Sequence, residues 1–253
     1  MQEHYGIIDL QITLRCNVKC PNCIKFCNMK DSTGLNYSDS DMTMDQIDNF
    51  IQQIKNLNHK GKYQLVCITG GEPLLHPNVE EITFKLEKLR KQGHFKELTI
   101  NSNLTIDIPP KLKKYIINWS EPKNNNLVHN TVLLHPLEFG GKQYTFDSCA
   151  HHRKGTVVAN YMGFSVCCAG DGLIRLFGYD DLITDHLYPA WYEFPTKQMD
   201  KVCKQCPFGN QNETENIVPW EKDEGCPVSR VYAKEANLNK LGRKIMKRLP
   251  IIQ

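Results

Sequence analysis

The chain has 253 residues, a formal charge of +3 and eleven cysteines. That length carries one sizeable core, or one core with a small appendage. The mild charge argues neither for nor against nucleic acid, and no apolar run reaches the roughly 18 residues of a membrane-spanning helix. Met1 to Tyr5 is polar, unlike a secretory signal, and an odd cysteine count without such a signal argues against an extracellular disulfide framework. A reducing cytoplasm with thiolate ligation accounts for these cysteines better.

In chain order, Ile7 to Leu14 is β-rich, alternates from Asp9 to Thr13 and reads as a strand. It runs directly into Cys16-Asn17-Val18-Lys19-Cys20-Pro21-Asn22-Cys23, three cysteines spaced C-x3-C-x2-C. Residues 31–41, rich in Ser, Asp, Gly and Asn, form a surface loop. Thr43 is placed to cap a helix with Ile47, Phe50, Ile51, Ile54 and Leu57 on one stripe, ended by Gly61. A strand from Gln64 to Ile68 leads into Thr69-Gly70-Gly71-Glu72-Pro73. A second helix carries Val79, Ile82, Phe84, Leu86 and Leu89 and stops near Gly93. A strand from Glu97 to Ile100 ends at Asn101-Ser102-Asn103. A short helix over Lys111–Tyr115 and strands at Ile116–Ser120 and Thr131–His135 follow, with Pro136 breaking the last.

Strand–helix alternation implies parallel strands with helices outside them, an α/β partial barrel with its chemistry at the C-terminal strand ends. Three thiolates on one loop can hold three irons of a [4Fe–4S] cubane and leave the fourth iron open. A structural zinc site, with Cys27 as fourth ligand, is the competing reading of the spacing alone. In the Gly-Gly-Glu-Pro turn, the glycines allow close approach to a ligand, Glu72 offers an acceptor and Pro73 stiffens the exit. The two motifs together, C-x3-C-x2-C and GGEP one strand and one helix later, resemble the radical S-adenosylmethionine (SAM) superfamily.

The resemblance implies a cluster on Cys16, Cys20 and Cys23 with SAM chelated at the open iron. It places Gly70, Gly71, Glu72 and Pro73 at the SAM amino group, Asn101, Ser102 and Asn103 near its ribose, and Ser120 at a further polar contact. Asn22 departs from the aromatic residue often found before the third cysteine. No glycine-rich SAM-binding strand is evident at Val132 to His135.

In the second half, Cys149, Gly163 and Cys168 read C-x13-G-x4-C, and Cys203 and Cys206 form C-x2-C. Thr156–Ala159 and Phe164–Val166 read as a hairpin that draws Cys149 and Cys168 together. This is similar to the auxiliary-cluster region of SPASM/Twitch radical-SAM enzymes. It implies a second [4Fe–4S] cluster on Cys149, Cys168, Cys203 and Cys206, with the shorter Twitch form the better fit. Four-thiolate zinc is again the alternative, Cys167 can substitute for Cys168, and Cys226 is a lesser candidate. The division expected is a partial barrel over 1–140 and a Twitch-like region over 141–253. That second region ends in an amphipathic helix over Lys234–Arg248, carrying Leu238, Leu241, Ile245 and Leu249.

The layout is similar to the small radical-SAM dehydrogenases that oxidise 2-deoxy-scyllo-inosamine. It implies oxidation of a sugar, cyclitol or nucleoside, with the auxiliary cluster as electron acceptor and a flavodoxin or ferredoxin as donor. His135, Glu138, His151, His152 and Arg153 are candidate bases, none singled out. His151 to Lys154 is either a solvated basic loop or a seat for an anionic substrate. Two other outcomes stay open. One is epimerisation with Cys27, Cys67 or Cys226 returning a hydrogen atom. The other is maturation of a ribosomal peptide, disfavoured by only fifteen residues preceding Cys16.

Overall fold

In the structure, a computed structural model, residues 6–18, 25, 27, 40–57, 63–117, 155–188, 201–203 and 206 are described. Cys20, Cys23, Ser120, Cys149, Cys226, the Thr131–His135 strand, the candidate bases and the C-terminal helix lie outside them.

The first strand, β1, spans Gly6–Thr13. Helix α1, Met44–Asn56, follows and starts where Thr43 predicts. The Thr43 side chain accepts from the Gln46 backbone N–H while the Gln46 side chain accepts from that of Thr43, a reciprocal capping box. Leu57, with extended backbone, ends the helix four residues before the expected stop at Gly61. Strand β2 is Tyr63–Gly70, helix α2 is Val79–Lys91 and strand β3 is Glu97–Asn101. The short helix expected over Lys111–Tyr115 is a 3₁₀ helix, Pro110–Tyr115, and leads into β4, Ile116–Ile117. The hairpin strands are β5, Thr156–Asn160, and β6, Gly163–Val166. Helix α3, Cys168–Phe177, closes on Gly178 in the left-handed conformation.

These strands form one six-stranded sheet ordered β4-β3-β2-β1-β5-β6, parallel except for the antiparallel β5–β6 pair. A mixed α/β chain with a mostly parallel sheet fits the partial barrel. The hairpin read from the second half adds to this sheet through β5 and β1, pairing Ile7 with Thr156 and Leu10 with Ala159. Residues from both sides of the division expected at 140/141 therefore share it.

Period-two alternation sorts the strand residues onto two faces. Ile8, Leu10 and Ile12 of β1, Val66 and Ile68 of β2, Leu98 and Ile100 of β3 and Val157 of β5 join one core. The same core takes Ile47, Phe50 and Ile54 of α1 and Ile82, Leu86 and Leu89 of α2. Phe50 stacks on Phe164 of β6 at 6.4 Å. Phe84, expected in the α2 stripe, is exposed. The other sheet face is polar and also buried: Asp9, Gln11 and Thr13 from β1, Thr69 from β2, Asn160 from β5 and Ser165 from β6. Register sets Asp9 beside Cys67 and Val158, and Gln11 beside Thr69.

Candidate active site

The residues after β1 are fixed from two directions. Leu14 N–H donates to Ser40 Oγ at 2.9 Å, and Thr13 Oγ1 donates to Asp41. Arg15 forks onto the Asp41 carboxylate, Nε to Oδ1 at 2.9 Å and Nη2 to Oδ2 at 2.6 Å. Its Nη2 also donates to the Leu75 carbonyl at 2.7 Å. This bidentate pair holds the residue immediately before Cys16. Nothing in the sequence spacing flagged Arg15 or Asp41.

The Gly70–Pro73 turn lies against the same segment. Gly71 N–H donates to Thr13 O at 2.9 Å and Glu72 N–H to Arg15 O at 2.8 Å. A Cβ on Gly70, where φ is +142°, would stand 1.9 Å from Thr13 O; one on Gly71 would stand 2.2 Å from Arg15 O and 2.8 Å from Cys16 Cβ. The glycines thus bring two stretches of backbone together at Cys16, a reason the sequence argument, framed around a ligand, did not contain.

Glu72 is fully buried. Its Oε1 accepts from Leu74 N–H at 3.0 Å, and its Oε2 from Asn103 N–H at 2.7 Å and Ser102 Oγ at 3.2 Å. An ionised carboxylate accepts about four hydrogen bonds, so Glu72 works first as a strut between the turn and the end of β3. Ser102 is buried and its oxygen also accepts from Leu104 N–H. Asn101 is half-buried at the end of β3, and Pro73 opens a 3₁₀ turn that Glu72 caps. His76 beyond that turn is buried: Asn78 N–H donates to its Nδ1, so Nε2 carries the hydrogen and donates to Met42 O at 3.0 Å. Burial lowers the His76 pKa below the usual histidine value, outweighing the Met42 hydrogen bond and nearby Asp41.

Cys16 is half-buried, and its sulfur accepts from Val18 N–H at 3.4 Å and Asn103 Nδ2 at 3.8 Å. Asn103 Nδ2 also donates to Asn17 Oδ1, and Asn17 Nδ2 donates to Thr105 Oγ1. N–H donors aimed at a sulfur favour its thiolate, the form in which cysteine binds iron. With Cys20 and Cys23 outside the described residues, Cys16 fits its role in the expected cluster. Among the described residues no three His, Cys, Asp or Glu side chains are grouped to hold a metal ion. Beside Asn103, Leu104 has φ +60° and is exposed, a strained non-glycine backbone at the strand ends that hydropathy could not disclose.

Further down the polar face, Lys25 reaches in from the loop after the cysteines. Its Nζ lies 3.0 Å from both Asp9 oxygens and 2.5 Å from Thr69 Oγ1, and the Thr69 hydroxyl itself donates to Asp9. Burial acts to lower the Lys25 pKa, yet Asp9 together with the nearby Cys168 and Cys27 thiols outweighs it, and the ammonium is held above the usual lysine value. Gln11 Nε2 donates to Asp9 at 3.2 Å, while its buried Oε1 has no partner among the described residues.

The second-half cysteines divide between two environments. Cys168, Asp171 and Arg175 lie at i, i+3 and i+7 on one stripe of α3, turned toward the polar face. Burial and then the Asp9 charge push the Cys168 thiol up to about 12. Cys167 caps the helix from a backbone with φ +46°, its sulfur accepting from Gly170 N–H at 3.3 Å. Its pKa is raised well above the usual value by burial, then by the neighbouring thiols of Cys168, Cys206 and Cys203. Val202, next to Cys203, stands 3.6 Å from a Cβ built on Gly170, which sets the Cys203–Cys206 turn against the start of α3. Cys206 N–H donates to Cys203 O within that turn. Cys27 is buried and points its thiol at the Lys25 carbonyl, 3.9 Å away. Cys67, buried on β2 near Asp9, is raised to about 12, chiefly by burial.

Comparison with known proteins bears on this site. Residues 10–120 match the Radical SAM superfamily, a stretch that includes Cys16, the Gly70–Pro73 turn and Asn101–Asn103. The chain is 33% identical over 85 residues to a GTP 3′,8-cyclase of Limosilactobacillus fermentum, covering 34% of this chain and 23% of that protein. A GTP 3′,8-cyclase of Helicobacter pylori is 30% identical over 96 residues, 38% of this chain and 26% of its own length. A probable GTP 3′,8-cyclase of Methanothermobacter marburgensis is 30% identical over 99 residues, 39% and 28%. The chain thus aligns with only about a quarter of the length of these curated relatives. No solved structure matches it significantly. Among the described residues, no helix is long and apolar enough to cross a membrane.

Proposed function

We propose, from the radical SAM domain that residues 10–120 match, that this chain is an enzyme oxidising a small polar molecule, a sugar, cyclitol or nucleoside. The observation carrying the reading is the convergence of Cys16, the Gly70–Glu72 turn and Asn103 at the C-terminal strand ends. When bound, a [4Fe–4S] cluster on Cys16, Cys20 and Cys23 supplies one-electron cleavage of SAM and so a hydrogen-abstracting radical, and an auxiliary cluster accepts the substrate's second electron.

The chain's own part is to bind, orient and exclude water. Val18 and Asn103 donate to the Cys16 sulfur. Glu72, held by Leu74, Ser102 and Asn103, keeps its carboxylate at the strand ends. Gln11 Oε1 is a buried acceptor that a substrate hydroxyl or amino group can satisfy. For the auxiliary site, Cys149, Cys203 and Cys206 are joined by Cys167 or Cys168, and the neighbours of Cys167 favour Cys167. Relatives named for a reaction of GTP favour the nucleoside member of the substrate set. A flavodoxin or ferredoxin is the proposed electron donor and the cytoplasm the proposed location.

Epimerisation is the second reading, favoured by Cys67. Its thiol, raised to about 12, stays protonated beside the polar face and can return a hydrogen atom. Anaerobic turnover of sugars, cyclitols and nucleosides in deuterated water separates the readings. A ketone, with one 5′-deoxyadenosine per product, supports oxidation. An inverted carbon carrying deuterium, lost in Cys67→Ala, supports epimerisation and ends the oxidative reading.

A further inference from the structure

Lys25 is gripped at both ends. Its ammonium bonds Asp9 of β1 and Thr69 of β2, as described above. Its backbone carbonyl accepts from Arg175 Nη2 of α3 at 2.9 Å. Arg175 is fully buried and is fixed by Asp171, Nε to Oδ2 at 2.9 Å, with Asp171 1% exposed. Asp171 Oδ1 accepts in turn from Asn160 Nδ2 of β5 at 2.8 Å and Ser165 Oγ of β6 at 3.1 Å. Four strands and one helix are therefore joined in one buried polar network around a single loop residue. A buried charge network of this kind is costly to assemble, and hydrophobic packing would serve plain stability as well. Its geometry has a specific consequence, because only Ile24 lies between Lys25 and Cys23, two chain steps that reach about 7 Å at most.

We propose that Lys25 and Arg175 are positioning residues that clamp the cysteine loop to the sheet and so hold the third thiolate of the cluster in place. The idea rests on the cluster reading above and adds to it. Partners beyond the ligands themselves commonly set metal retention by about 10- to 100-fold. The clamp also ties this loop to α3, the helix that Cys167 caps and Cys168 opens.

The test uses the full chain with Cys203→Ala and Cys206→Ala, so that iron reports on the first loop alone. It is reconstituted anaerobically beside the same protein carrying Lys25→Met, Lys25→Arg, or Asp171→Leu with Arg175→Met. The last pair removes both charges together and leaves no orphan ion in the core. Iron loss to a ferrous chelator is timed, the reduced cluster's electron paramagnetic resonance is recorded with and without SAM, and circular dichroism of the iron-free proteins reports folding. Lys25→Met and the paired variant should release iron at least about tenfold faster and shift the spectrum seen with SAM, with Lys25→Arg close to the parent. Parental release and spectra in whichever of the two disruptive variants folds would overturn the clamp. If the parent itself takes up no iron, or keeps it when Cys16 becomes alanine, the cluster reading fails and the clamp with it. The parent and its Cys16→Ala variant show that outcome without any clamp variant.

Discussion

Replacing Gly71 by alanine tests whether the turn exists to seat Cys16. The added Cβ meets Arg15 O at 2.2 Å, Arg15 C at 2.6 Å and Cys16 Cβ at 2.8 Å. None of these can rotate away, because each belongs to backbone or to a Cβ. The two strands of chain must separate by more than half an ångström. The hydrogen bonds Gly71 N–H to Thr13 O and Glu72 N–H to Arg15 O stretch with them. Overpacking of this kind costs about 1–3 kcal/mol and two weakened hydrogen bonds about 1 kcal/mol each, for a total of about 3–5 kcal/mol. Urea unfolding of the iron-free protein should show that loss as a lower midpoint with unchanged slope. The reconstituted variant should hold less iron. Stability within about 0.5 kcal/mol of native, with full iron, would refute the close-packing argument.

Other outcomes follow from named contacts. Thr43→Ala removes half of the capping box and should cost about 0.5–2 kcal/mol by thermal or urea unfolding, leaving iron binding unaltered. Asp171→Ala alone strands Arg175 in the core and should destabilise by about 3–5 kcal/mol; Asp171→Leu with Arg175→Met should recover most of it. Cys67 gives a pH signature. Its folded pKa of about 12 lies above an unfolded value near 9.0, so the folded state keeps a proton the unfolded state has lost. The thiol's stabilisation is intact below about pH 9 and falls by about 1.4 kcal/mol per unit up to about 12; Cys67→Ala should flatten that slope in iron-free protein. His76 works at the other end. Its lowered pKa means that protonation favours unfolding, so His76→Gln should reduce the loss of stability as pH falls below about 6.5.

The parallel strands and their helices were legible because each carries its own period: Ile47, Phe50, Ile51 and Ile54 at helical spacing, Leu98 and Ile100 at strand spacing. Asp9, Gln11 and Thr13 were legible as alternation but not as burial. Polar residues on alternate positions suggest a wet face, and only the tertiary contacts of Lys25, Thr69 and Asp171 show that this one is covered. The structure brings Cys16 and the Gly-Gly-Glu-Pro turn together at neighbouring strand ends. What made the glycines necessary, the approach of Arg15 O and Cys16 Cβ, is a contact between segments more than fifty residues apart. Arg15, Asp41 and Arg175 had no signal, since single charges in mixed sequence look like solvated surface until a partner is seen. Cys167 and Cys168 are adjacent in sequence, and spacing alone could not separate them. The positive φ at Cys167 and the stripe formed by Cys168, Asp171 and Arg175 turn them in different directions.

The most direct test of the radical SAM reading is iron and sulfide content after anaerobic reconstitution. It compares the native chain, a Cys16→Ala/Cys20→Ala/Cys23→Ala variant and a Cys203→Ala/Cys206→Ala variant. The account predicts about eight irons in the native protein and about four in each variant, with SAM cleaved to 5′-deoxyadenosine only where the first three cysteines remain. Full iron and undiminished SAM cleavage without Cys16, Cys20 and Cys23 would contradict it.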